Sequence, residues 1–217
     1  MKKETLLSRR TAAMSIPAFL LLSACSSAPT EEASNEGAKE MPEQTGGEWI
    51  TLYDAANPSL EDWNILGDAD WQTADDGSVE ATGDMLGYLV SKQDYTNFEL
   101  HVEFWADEPA NSGVFLRCSS REMINQDNAY EVNIFDQRPD QTYATGAVVG
   151  VAAPSQQMLA ANQWNMYDIT INGTHITVNL NGVQTVDVDH AGWDTGPIAL
   201  QHGAGTIKFR KVEIRPI

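Results

Sequence analysis

Cysteine is scarce in this chain of 217 residues: only Cys25 and Cys118 occur, so at most one internal disulfide is possible. Basic residues are few as well. Lys and Arg number 13 against 31 Asp and Glu, a net charge of −18. That balance excludes a nucleic-acid binder, whose affinity rests on a positive footprint. No apolar run is long enough to span a bilayer; Ile16 to Leu22 is far short of the ~20 residues needed. No His-x-His or cysteine pair marks a transition-metal site. A convincing amphipathic helix is also missing, and residues 121–128 and 155–161 offer a turn or two at most. What remains is a globular composition, 42% hydrophobic and 20% charged, with six each of Trp, Tyr and Phe.

The first segment has the features of an export address. Lys2, Lys3, Arg9 and Arg10 precede the short apolar run, which ends in Leu22-Ser23-Ala24-Cys25. That order resembles a bacterial lipoprotein signal, with residues 1–24 cleaved and Cys25 lipidated as the mature N-terminus. Ser8-Arg9-Arg10 also resembles a twin-arginine signal, although Ala12 stands where a large apolar residue is usual. Ser26 after the cysteine fits sorting to an outer membrane. The expected location is therefore outside the cytoplasm, periplasmic or outer-membrane, held to the membrane by lipid alone. Without Lys2, Lys3, Arg9, Arg10 and Glu4, the 13 cations and 31 anions become 9 and 30, and −18 becomes −21. Residues 25–47 comprise the lipidated cysteine and a Ser-, Ala-, Pro-, Glu- and Gly-rich tether. With Cys25 in the anchor, Cys118 is left without a disulfide partner, and no His or Asp arrangement marks it as a nucleophile.

From residue 48 onward the apolar period is two. It runs through Phe98 to Phe104, Tyr130 to Ile134, Asp168 to Asn172 and His175 to Leu180. Asn172-Gly173 and Asn181-Gly182 suit tight hairpins, so residues 167–189 are predicted to form a three-strand meander. Asp75-Asp76-Gly77-Ser78 predicts another turn. About a dozen short strands predict an all-β domain over 48–217: a concanavalin-like jelly-roll β-sandwich of two antiparallel sheets with a concave groove.

Alternation also assigns faces. With Val102, Val114, Leu116, Val132 and Ile134 turned to the core, Glu103, Arg117, Glu131 and Asn133 are expected to share the opposite sheet surface. Carboxylates beside a guanidinium and an amide suit sugar hydroxyls and proton transfer. The bland alternative is a solvated strand face with ordinary cross-strand pairs. Glu131-x-Asn133-x-x-Asp136 resembles the Glu-x-Asp-x-x-Glu site of laminarinase-type β-glucanases, with two substitutions. A retaining glycosidase needs two carboxyls ~5 Å apart, and those substitutions shorten one arm and remove the central acid.

Several segments, taken in order, resemble the 3-keto-disaccharide hydrolase domain family from about Trp49 to the C-terminus. They are Leu52-Tyr53-Asp54 with Leu60 to Trp63, Asn97 to Phe104, Asn111 to Arg117 and Tyr130 to Asp136, then Thr145-Gly146-Ala147, Gln163-Trp164-Asn165, Leu180-Asn181-Gly182, Ile198 to Gln201 and Phe209 to Val212. Each piece is short, and their order carries the resemblance. Asn133 stands where the family commonly has Gln, and Val149 where it often has Tyr.

The resemblance implies cleavage of glycosides already oxidised at C3. A C3 ketone acidifies the C2 proton, because the anion formed is an enolate. A base removes that proton, the C1 substituent leaves, and water adds to the enone. Such a site needs a base, an acid for the leaving group, and donors or a cation at the enolate oxygen. Glu131, Asp136 and His202 are the candidates for proton transfer. Arg117, Asn133, Asn111, Gln201 and Glu103 are the candidates for substrate binding. By its period His202 points to the core unless its strand ends at Gln201. No cofactor is certain from sequence. Scattered oxygen ligands leave a divalent metal such as calcium open at the enolate. The implied partners are a 3-keto sugar and a separate sugar 3-oxidoreductase acting upstream. A carbohydrate-binding, lectin-like module without catalysis is the alternative. An adhesive sheet would need exposed apolar strand faces, and the alternating residues are polar.

Overall fold

The computed structural model describes residues 47–217; the signal, Cys25 and nearly all of the tether lie outside them. The described residues form thirteen strands and one short 3-10 turn at Gln141–Tyr143. Residues 121–128 and 155–161 contain no helix. The larger sheet holds β1 (Ile50–Asp54), β3 (Gln72–Thr73), β4 (Val79–Gly83), β6 (Phe98–Ala106), β9 (Trp164–Asn172), β10 (His175–Leu180), β11 (Val183–Asp189) and β13 (Gly205–Pro216). Its order is β11-β10-β9-β6-β13-β4-β3, with β1 also on β13. The long β13 serves two neighbours on one edge, β4 along its first half and β1 along its second, with a bulge between Phe209 and Lys211 opposite β6. The smaller sheet holds β2 (Trp63–Gly67), β5 (Gly87–Ser91), β7 (Ser112–Leu116), β8 (Tyr130–Ile134) and β12 (Ala199–His202), in the order β2-β5-β12-β7-β8. All named pairings are antiparallel, so the all-β, two-sheet jelly-roll sandwich expected from alternation is the architecture found.

The meander forms as predicted because its turns are chemically suited. Asn181 and Gly182 both adopt positive φ, 52° and 80°, the pair of conformations a two-residue type I′ turn requires. The register then sets Leu180 opposite Val183 and Ile176 opposite Ile171. In β6, Phe98, Leu100, Val102, Phe104 and Ala106 are buried while Glu99, His101, Glu103 and Trp105 are half-buried on the other side. These residues meet Val114, Leu116, Tyr130, Val132, Ile134, Ile198 and Leu200 of the smaller sheet in one core. Burying each such large side chain stabilises the fold by ~1.5–3 kcal/mol before entropy is counted.

The smaller sheet is also covered on its outer side. Tyr88, Val90, Phe115, Cys118, Ile124, Ala129 and Ala199 form a second buried cluster there. The segment after β7 folds over this face, anchored by Ser119 N–H to the Asn128 carbonyl and by the Tyr88 hydroxyl donating to the Ile124 carbonyl at 3.0 Å. Beyond β8, residues 146–149 add one more ladder: Val149 N–H donates to the Glu131 carbonyl and Asn133 N–H to the Ala147 carbonyl.

Candidate functional site: a lone carboxyl on the covered face

The strand register places the site. Gln201 pairs with Tyr88, and Ala199 pairs with both Val90 and Phe115. Phe115 pairs with Glu131 and Gly113 with Asn133. Tyr88, Gln201, Gly113 and Asn133 therefore form one row across the outer face, and Val90, Ala199, Phe115 and Glu131 form the next. Gly113 leaves room on this face. A Cβ there would lie 3.3 Å from Glu131 Cγ and 3.4 Å from Glu131 Oε1, so the Glu131 side chain lies over it.

Glu131 is only 7% exposed, and no described residue forms a salt bridge with its carboxyl. Burial pushes the carboxyl up to about 7, and the charge of Arg138 pulls the other way. In the neighbouring row are two amides whose NH2 ends are tied off. Asn133 Nδ2 donates to the Tyr143 carbonyl at 2.6 Å, and Gln201 Nε2 donates to the Tyr88 hydroxyl at 3.3 Å. Their carbonyl oxygens, Asn133 Oδ1 and Gln201 Oε1, are buried with no donor among the described residues. Leaving such an atom unpaired costs ~1–3 kcal/mol. A carboxyl poised near neutrality can exchange a proton, and the two amide oxygens on the same face are acceptors.

The other expected residues are placed differently. Glu103 lies on β6, in the larger sheet, paired with Arg210 and His101, so it does not share a surface with Glu131. Alternation gives a residue's side within its strand but not which sheet the strand joins. Arg117 does not join the outer face either. It ends β7 with φ at 51°, and this non-glycine positive φ turns its side chain away. The guanidinium is 2% exposed and donates to the carbonyls of Thr96, Gly173 and Trp193 and to Asn97 Oδ1. Asp136 clasps loops, accepting from Thr145 Oγ1 at 2.5 Å and from Ala160 and Ala161 N–H at 2.8 and 2.9 Å. His202 is fully buried towards the core. Its Nδ1 faces the Met85 carbonyl at 2.7 Å, its Nε2 the Gly205 carbonyl at 3.0 Å, and its ring meets Trp71 edge-on. Asn111 is half-buried one step beyond Gly113 on the same face, with its backbone bridged to Ala204 and its side chain against Gly203.

Tyr88 and Arg138 belong to this neighbourhood and were not anticipated. Every residue of Gly87–Ser91 is buried, so alternation could not show which side of β5 mattered. Arg138 lies in a loop, outside any period. Its one signal is being a rare cation four residues after the end of the Glu131 strand.

The donor set does not fit a divalent cation. It offers one carboxyl and two amide oxygens, whereas calcium takes roughly six to eight oxygens. Among the described residues, no group of three or more His, Cys, Asp or Glu is arranged to hold a metal ion. A separate depression of about 610 Å³, lined in part by Leu52, Tyr95, Asn97 and Ile217, contains no buried carboxyl.

A sequence profile described as 3-keto-alpha-glucoside-1,2-lyase-like domain matches residues 48–215. The chain belongs to that family. No curated protein matches it. Two crystal structures of candidate glycosyl hydrolases from Parabacteroides distasonis are similar. One is 26% identical with TM-score 0.63, covering 78% of this chain and all of that one. The other is 16% identical with TM-score 0.64, covering 76% and 92%. A carbohydrate-binding module, CBM66 of Bacillus subtilis, shares the fold at 13% identity and TM-score 0.54, covering 77% and 95%. This is a carbohydrate-related β-sandwich domain.

Proposed function

We propose that this domain cleaves 3-keto-glycosides, with Glu131 as the base that removes the C2 proton. The observation that carries the reading is the buried carboxyl of Glu131, near neutral pKa and without an ion-pair partner among the described residues, on the same sheet face as two amide oxygens that lack donors. A base works best when its pKa lies near the working pH. Sugar hydroxyls are donors, and Asn133 Oδ1 and Gln201 Oε1 would accept two of them. The C2–H bond breaks, the proton passes to Glu131, and its electron pair forms the enolate of the C3 ketone. The enolate then expels the C1 substituent with its bonding pair, leaving an enone. Water adds its oxygen at C1, a proton returns to C2, and the leaving group is protonated, so one water is consumed overall. Because Asp136 and His202 are fully engaged, Glu131 is the group free to carry the proton both ways.

The ketone has to be installed beforehand, which assigns the preceding step to a sugar 3-oxidoreductase. The lipid anchor at Cys25 and a location outside the cytoplasm belong to the same reading; loss of fatty-acid labelling in Cys25→Ala tests the anchor. For the activity, purified domain is incubated with 3-keto-trehalose or a 3-keto-glucoside while enone absorbance and released sugar are followed. Turnover is expected, and Glu131→Gln should reduce it by ~10²–10⁴-fold. Sugar binding without any turnover would replace the enzyme by a lectin-like binding module.

A further inference from the structure

Removing the C2 proton puts a negative charge on the C3 oxygen, and a site that does this needs a donor aimed at that oxygen. Arg117 is committed to four acceptors. Other donors of the covered face are spent as well. Asn133 Nδ2 bonds to the Tyr143 carbonyl, Gln201 Nε2 to the Tyr88 hydroxyl, and the Tyr88 hydroxyl to the Ile124 carbonyl. One amide on this face is uncommitted. Asn111 is half-buried, and its side chain makes no hydrogen bond to any described residue. Asparagine readily ties its side chain to neighbouring backbone, and here it does not.

The strands around Asn111 hold it at the site. Its N–H donates to the Ala204 carbonyl at 3.0 Å, and its carbonyl accepts from Gly203 N–H at 2.8 Å. These bonds continue the β7–β12 ladder past Gln201, so Asn111 falls opposite Gly203 as Gly113 falls opposite Gln201. Each of the two glycines lies under one polar side chain. A Cβ at Gly203 would stand 3.2 Å from Asn111 Nδ2, much as one at Gly113 would stand 3.4 Å from Glu131 Oε1. Gly113 and Gly203 are diagonal neighbours on adjacent strands, and such positions are about 7–8 Å apart. Contacts of about 3 Å at each end leave between them the distance from C2 to the C3 oxygen of one sugar ring.

We propose that Asn111 is a further catalytic residue, whose amide N–H donates to the C3 oxygen of the 3-keto sugar while Glu131 takes the C2 proton. This rests on the function proposed above. The C2–H pair becomes the second bond between C2 and C3, and the carbonyl pair moves onto the C3 oxygen, where the Asn111 N–H meets it. As the carbonyl re-forms, the C1–O bond breaks and the leaving oxygen keeps its pair. The ketone is already present in the substrate, so no oxidant or reductant is consumed.

Steady-state kinetics on a 3-keto-glucoside, with hydrogen or deuterium at C2, test the assignment in Asn111→Ala and in Asn111→Asp, which keeps the shape but replaces the donor by a charged acceptor. In both, kcat should fall by ~10²–10³-fold with KM nearly unchanged. The deuterium isotope effect on kcat should be at least as large as in wild type, because proton removal is the step that lost its donor. A raised KM with intact kcat would make Asn111 a ground-state contact and overturn its catalytic role. A lowered kcat with a smaller isotope effect would place Asn111 at another step and overturn it equally. Circular dichroism should report the wild-type β-sandwich in both variants, and loss of folding in both would make the amide structural and overturn the proposal. Wild type that fails to turn over defeats the parent reading, whereas active wild type with a fully active Asn111→Asp defeats this inference alone.

Discussion

The two outer faces of the sandwich treat polar groups in opposite ways. On the larger sheet, charges stand in pairs: Glu99 with Arg215, Glu103 with Arg210, Glu80 with Lys208 and His101 with Asp168. Those side chains are half-exposed or exposed, and such pairs typically contribute 0–1 kcal/mol each. On the smaller sheet the face is covered and mostly apolar, with two amide oxygens unpaired among the described residues and one carboxyl that burial pushes up. Pairing at the surface costs little and achieves little, whereas unpaired polarity under cover is costly. A fold tolerates that cost where a ligand completes the bonds.

The largest expected effect uses stability to measure that cost. Glu131 titrates near 7 in the folded protein against an ordinary value of 4.5. Between these values the unfolded chain is ionised while the native carboxyl still holds its proton. Native protein therefore binds more protons, and stability falls as pH rises from about 4.5 to about 7, then levels. The total is about 3 kcal/mol. Glu131→Gln should remove this decline. At pH 8 the variant should be more stable by about 3 kcal/mol, raising Tm by roughly 6–12 °C, with no gain below pH 4.5. Urea titrations at pH 4, 6 and 8 measure it, and a flat difference across pH would place the carboxyl in water.

Gly113→Val comes next. Its new side chain would occupy the space over which Glu131 lies, 3.3 Å from Cγ. A displacement of about 1 Å at a reacting group costs on the order of 100-fold in rate. Turnover of a 3-keto-glucoside should fall by that factor while circular dichroism stays that of a β-sandwich. An unaffected rate would mean that the carboxyl acts from another position. A smaller effect is expected from Tyr88→Phe. The Tyr88 hydroxyl donates to the Ile124 carbonyl and accepts from Gln201, fixing the amide so that the buried Oε1 is left without a donor among the described residues. Without it KM should rise ~10-fold, the order of one hydrogen bond, with kcat changed less. Amide hydrogen exchange at residues 119–129 should quicken in the same variant, since their anchor to the sheet is lost.

What the sequence made legible follows from how local each cause is. The meander was readable because Asn181-Gly182 and the alternation in β9 and β10 act over a few residues. The outward side of Glu131 and Asn133 was readable because Val132 and Ile134 lie between and beside them. Pooling Glu103 with Glu131 failed because β6 and β7, although consecutive, join different sheets, and the short crossover at residues 107–111 carries no periodic signal. Arg117 defeated alternation through a single positive φ at a residue type that rarely adopts one. His202 follows its strand into the core as its period implies. Tyr88 was hidden by a strand, GYLVS, with no apolar–polar alternation, and Arg138 by a loop.

Glu103→Gln gives the smallest effect and the sharpest control on the comparison. Burial pushes the Glu103 carboxyl up, but hydrogen bonds and charge from Arg210 and His101 outweigh it and hold it below the ordinary range. The sign is therefore opposite to that of Glu131: its contribution is present above the unfolded pKa and is lost as pH falls through the folded one. Because Arg210 is exposed and also packs on the Trp164 ring, it keeps a partner when the charge is removed. Glu103→Gln should cost no more than about 1 kcal/mol at neutral pH, less still in high salt, and leave turnover within about two-fold of wild type. A large loss of activity would join the two faces functionally and erase the contrast between paired and unpaired polarity. A small loss of stability that fades in acid, beside the pH-dependent gain from Glu131→Gln, would establish it with two carboxyls of one protein shifted in opposite directions by their surroundings.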